Sequence, residues 1–188
     1  MIAELLSFFS SLDDHLAALA QASPWLFFGV VTLIIFAETG LVVMPLLPGD
    51  SLLFIAGAIT ALAGLNVHLF VAILCAAAIL GDAVNYLVGS RLGMKAFERK
   101  DSRIFKQEYL LQTQAFYEKY GAFSIVMGRF VPIVRTFVPF LAGVAQMPYR
   151  TFLVYNVIGG AAWIASLTYA GYLFGNIGWV RNNLSLIV

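Results

Sequence analysis

The chain has 188 residues, 61% hydrophobic and 11% charged, with a net charge of +1 and a mean hydropathy of +0.89. A soluble domain of this length is about a quarter charged, so too little polar surface exists here to keep such a core in water. A near-zero net charge gives no general pull on nucleic acid, and a single cysteine, Cys75, excludes an internal disulfide. Cys75 reads as a small apolar core residue. The composition therefore predicts an all-α polytopic membrane protein, each span needing about 20 apolar residues.

Residues 1–22 place Leu5, Phe9, Leu12, Leu16 and Leu19 at helical spacing beside Asp13, Asp14 and His15. That pattern predicts an amphipathic helix lying at the membrane interface. No basic residue precedes it, and Glu4, Asp13 and Asp14 come first, so it is expected to be retained rather than cleaved as a leader. Ser23-Pro24 then opens an apolar segment to about residue 47, with Glu38 inside it. Residues 51–64 are apolar but too short to span comfortably, whereas about 67–89 is long enough. A polar connector, about residues 91–120, carries Arg91, Lys95, Arg99, Lys100, Arg103, Lys106 and Lys119. Residues 121–148 are apolar but interrupted by Arg129, Pro132, Arg135, Pro139 and Gly143, and 151–174 is a clean span. A further apolar segment begins near the end, which suggests a shortened last transmembrane helix. Residues 23–188 are thus expected to form one membrane domain.

Lys and Arg outside the interrupted segments fall almost wholly between residues 91 and 150, which places that section in the cytoplasm by the positive-inside rule. With the spans so oriented, neither broken segment can cross completely. Residues of about 48–64 and 121–148 are read as re-entrant hairpins, opening to opposite sides, with Pro and Gly at their turns. Both end on Ala-Gly, at Ala56-Gly57 and Ala142-Gly143. Backbone broken at membrane depth survives only inside protein or against a watery cavity. The arrangement predicted is an inverted repeat with a midplane site.

Four ionised groups fall in these segments, Glu38, Asp50, Arg129 and Arg135. Each costs about 2.5–3.5 kcal/mol at a span centre on insertion scales. Mutual ion pairing that merely holds the hairpins together would account for them. Arg129 and Arg135 also match phosphate oxygens as paired donors, with Thr136 capping a half-helix whose N-terminus adds to the anion site. Glu38 and Asp50 are then proton-exchanging partners that compete with phosphate for the arginines. Asp50 has a further reading as the N-cap of a helix starting at Ser51. Asp82, Asn85 and Tyr86 in "GDAVNYLVG" are secondary candidates, and helix packing is their other reading. His68, Asn156 and Trp163 read as interfacial or packing groups. Gly89-x-x-x-Gly93 and Gly171-x-x-x-Gly175 read as close packing rather than dimerisation.

The segments "FAETG…PLLPGDSLLFIAGA", "GDAVNYLVG", "FYEKYG", "GRFVPIVRTFVPFLAG" and "YNVIGGAAW…GYLFG" resemble the DedA family of bacterial inner-membrane proteins, related to the VTT-domain lipid scramblases. The resemblance covers about residues 27–175. It implies two re-entrant loops, multi-pass placement in the bacterial inner membrane and translocation of a polyprenyl phosphate, especially undecaprenyl phosphate, with a link to the proton motive force. The family's acids fall on Glu38 and Asp50 and its arginines on Arg129 and Arg135. The expected partners are that lipid, protons and the surrounding membrane lipids, with no nucleic acid, no cofactor and no metal; a homo-oligomer stays open. Three alternatives remain: a general phospholipid scramblase, a proton-coupled small-solute transporter and an intramembrane lipid phosphatase. Against the last, neither His15 nor His68 lies beside the arginine pair in sequence, and no nucleophile–base set stands out.

Overall fold

A computed structural model describes residues 15–41, 49–92 and 119–177, and among them every regular element is a helix. Residues 15–22 are helical, within the predicted amphipathic segment. Six labelled helices follow: α1 Pro24–Gly40, α2 Gly49–Leu62, α3 Val67–Leu92, α4 Ser124–Gly128, α5 Pro132–Val144 and α6 Tyr149–Gly175, with a 3-10 turn at Gly121–Phe123. Only α3 and α6 are long and apolar enough to cross a bilayer among the described residues. At 26 and 27 residues they extend about 40 Å each, beyond a hydrocarbon core of about 30 Å.

The first expected span differs. The helix ends at Gly40 rather than near residue 47, giving α1 only 17 residues. Gly40 ends it in close approach to Gly81, where a Cβ would already sit 3.4 Å from that residue's Cα. Most of the predicted connector and the final apolar segment lie outside the described residues.

Local chemistry sets the other boundaries. Pro24 supplies the fixed φ favoured in a first helical turn. Asn66 caps α3, its Oδ1 accepting the Leu69 amide at 3.0 Å. Helix α2 ends in a Schellman turn: Gly64, at φ +66°, donates to Ala61, and Leu65 donates to Thr60. Helix α5 ends the same way, with Gln146 donating to Gly143 and Met147 to Ala142. There the left-handed position, φ +54°, is held by Gln146, a residue that pays sterically for it. The 121–148 segment is broken at residues 129–131, and α4 folds back so that Gly128 lies against Val134 and Val138 of α5. Pro139 sits inside α5, where it cannot return a hydrogen bond to the carbonyl of Arg135 four residues earlier.

The described chain forms two compact units, whose boundaries fall within α1, α3 and α6. In the first unit Phe27 and Phe28 stack on Phe70 at 5.4 and 4.6 Å. There α2 crosses the C-terminal part of α6 with no room for side chains: a Cβ on Gly57 would strike the Thr168 carbonyl, and one on Gly171 the Phe54 carbonyl. In the second unit α5 crosses the C-terminal part of α3 in the same manner, Gly143 against the Tyr86 carbonyl and Gly89 against that of Phe140. Gly89, Gly171 and Gly175 are thus engaged in packing within the chain, as expected. Tyr86, Ile125, Val134, Val138, Ala142, Met147 and Phe152 form an apolar cluster in the second unit.

Candidate functional site

The second unit buries an unusual set of polar groups. Glu38 lies near the end of α1, Asp82 and Asn85 on α3, Arg129 at the α4–α5 break, Thr136 on α5 and Asn156 on α6, all almost fully buried. Arg135 of α5 joins them, its side chain 11% exposed. Two ion pairs form. Arg129 Nη2 donates to Asp82 Oδ2, and Arg135 Nη2 donates to Glu38 Oε1. The arginines therefore reach the site from the break and from the helix that follows it.

Three amide and aromatic side chains hold these pairs in place. Arg129 Nη2 also donates to Asn156 Oδ1. The Asn156 amide in turn donates to the Ile79 carbonyl at 3.0 Å, which fixes its orientation. Asn85 Nδ2 donates to the carbonyls of Thr39 at 3.2 Å and Thr136 at 3.0 Å. Those residues follow Glu38 and Arg135 directly, so one amide braces both backbones that carry the second ion pair. The Trp163 ring is buried beneath both guanidiniums, with Arg129 Cζ 5.9 Å and Arg135 Cζ 5.2 Å from its centroid. Gly159 and Gly160 make room for Arg129: a Cβ at Gly159 would lie 3.1 Å from its Cδ, and one at Gly160 3.4 Å from its Nη2.

Glu38, Thr39, Asp82, Arg129, Arg135, Thr136 and Trp163 line a small cavity. Its free space for a water centre is about 10 Å³, close to the minimum for a single water. Two acids and two arginines sum to zero formal charge at this site. Chemically this is a place where a guanidinium can trade one oxyanion for another.

Most of the residues singled out from the sequence converge here: Glu38, Arg129, Arg135, Thr136, Asp82 and Asn85. Tyr86 packs alongside, stacked on Phe152 at 4.5 Å, with its hydroxyl donating to the Met147 carbonyl. Asp50 belongs to the first unit, in the first turn of α2, which begins at Gly49. The acid opposite Arg129 is Asp82. Thr136 does not cap its helix, because Pro132 starts α5 and Val131, in extended conformation, is the N-cap without a side-chain bond. Asn156 and Trp163, read as packing groups, touch the arginines directly. They share one face of α6 with Gly159 and Gly160, at spacings of three, four and seven.

The VTT domain family matches residues 47–173 of the chain. Protein DedA of Escherichia coli is 51% identical over 187 residues, covering 98% of this chain and 85% of its own. An uncharacterised membrane protein of Mycobacterium tuberculosis is 46% identical over 160 residues, 84% of this chain and 70% of its own. Inner membrane protein YghB of Escherichia coli is 33% identical over 149 residues, 79% and 68%. No solved structure matches the chain significantly.

Proposed function

The chain belongs to the DedA family of VTT-domain membrane proteins, and from that premise we propose that it carries undecaprenyl phosphate across the bacterial inner membrane, coupled to protons. The lipid is what the family likeness implies; the head-group chemistry comes from the residues. One observation carries it: two buried guanidiniums meet on a single tryptophan beside a cavity, each neutralised by its own acid.

An anion of charge −1 to −2 entering this low-dielectric, neutral site needs compensation. Protonation of Glu38 or Asp82 removes a negative charge and frees its arginine to bind phosphate through parallel N–H donors. Loss of that proton restores the ion pair and expels the anion. Asp50, on the other unit's hairpin helix, acts as a further proton-exchanging group. Binding and proton uptake are thus two sides of one exchange.

The membrane placement is multi-pass, with the basic connector in the cytoplasm and the 48–64 and 121–148 segments re-entrant from opposite faces. Two features support an inverted repeat. The same glycine crossing is built once in each unit, and both crossing helices end in a Schellman turn.

Leaflet-resolved transport in proteoliposomes tests this reading. Wild-type protein moves undecaprenyl phosphate in preference to common phospholipids, at a rate that depends on pH. Arg129→Lys keeps the charge but loses the planar fork, and lowers transport at least about tenfold. Near-normal transport by that variant, or movement of common phospholipids alone, overturns the proposal.

A further inference from the structure

Helix α6 presents a stripe to the arginines that neither ion pair requires. Asn156 gives an acceptor, Gly159 and Gly160 give bare backbone, and Trp163 gives an aromatic ring. Asp82 alone would neutralise Arg129. The ring does something different, because it also reaches Arg135, which comes from α5 and has its own acid in Glu38. One side chain, 2% exposed, therefore touches both cations.

A guanidinium carries its five N–H donors in its plane, while an aromatic ring attracts a cation through the ring face. Both guanidiniums contact Trp163 while an Nη2 of each donates to a carboxylate, so the contact leaves donors available to oxyanions. Carboxylate and phosphate compete for those edges, so a side chain held only by its carboxylate would lose its seat when the acid is protonated. Both Cζ distances lie within the roughly 6 Å reach of a cation–π contact.

We propose that Trp163, with the Gly159–Gly160 step beneath Arg129, is a positioning platform that keeps both guanidiniums seated while their donors pass from carboxylate to phosphate. The proposal rests on the anion-exchange reading above. It assigns Trp163 a part in phosphate affinity that volume filling alone cannot supply. Leucine fills space without a ring quadrupole; phenylalanine keeps a weaker one.

The test uses full-length purified protein carrying Trp25→Phe and Trp179→Phe, so that Trp163 is the remaining one of three tryptophans. Dodecyl phosphate is titrated in a neutral detergent and followed by Trp163 emission and by thermal stabilisation. Biosynthetic incorporation of mono-, di- and trifluorinated tryptophan weakens the ring's negative face with little change in shape. Affinity is expected to fall stepwise along this series, to on the order of tenfold for the trifluorinated ring, the scale of a desolvated cation–π contact. Trp163→Phe retains more affinity than Trp163→Leu, both compared by thermal stabilisation. If the wild-type protein binds dodecyl phosphate and the fluorinated series binds equally well, the platform is wrong while anion binding stands. If the wild-type protein binds none, the anion-exchange reading falls and takes the platform with it.

Discussion

The two units make the same helix crossing and put it to different uses. Phe54-x-x-Gly57 meets Thr168-x-x-Gly171 in one; Phe140-x-x-Gly143 meets Tyr86-x-x-Gly89 in the other. Counting back from Gly89, Asp82 and Asn85 stand seven and four residues earlier on α3. The matching positions before Gly171 on α6 are Ile164 and Leu167. Close backbone packing is therefore independent of the chemistry around it. Glycines make the close contact in both, with apolar residues at these positions beside one crossing and Asp82 and Asn85 beside the other.

The widest separation between the units is expected on breaking an ion pair. Asp82→Ala strands Arg129 without its counter-charge and costs about 3–5 kcal/mol by chemical unfolding of the purified protein. Combining Asp82→Leu with Arg129→Met recovers most of that stability but no transport. A double variant as unstable as the single one would show that the cost lies in packing instead. Next come the crossings themselves. Gly57→Ala and Gly143→Ala force a methyl group against backbone and each costs about 1–3 kcal/mol. Equal losses sharpen the comparison, whereas a large loss at one and none at the other breaks it.

Asn85→Ala removes the amide that spans the Thr39 and Thr136 carbonyls and costs about 1–3 kcal/mol. Its larger signature is a loss of transport through a misplaced Glu38–Arg135 pair, which Leu167→Ala in the other unit does not produce. The smallest effect lies at the two Schellman turns. Gln146→Gly relieves the left-handed residue and raises stability by about 1 kcal/mol, while Gly64→Ala lowers it by about as much. Unchanged unfolding midpoints for both would remove this difference between the turns.

The electrostatic half of the site was legible in the sequence, because an Arg or Glu within an apolar segment is costly enough to demand a partner. Glu38, Arg129 and Arg135 stood out on that ground. Which acid faces which arginine was not legible, since pairing depends on how helices far apart in the chain meet; Asp82, given a secondary place, is the partner of Arg129. Asn156 and Trp163 read from the sequence as packing or interfacial groups because neutral residues in a span carry no such penalty. Their signal was periodic: Asn156, Gly159, Gly160 and Trp163 line one face of α6. The helical class is readable, as is Ala142-Gly143 at the end of α5, whereas α2 continues past Ala56-Gly57 to Leu62. The stop of α1 at Gly40, close to the remote backbone at Gly81, is not readable from the local sequence.

Pro139 leaves one rung out of α5, the one that would have closed on Arg135. The consequence is mechanical. A continuous helix resists bowing because each turn is tied to the next; here the tie is absent beneath the more exposed of the two cations. Arg135 thus stands where α5 lacks one backbone tie, the place in that helix where bending breaks no hydrogen bond.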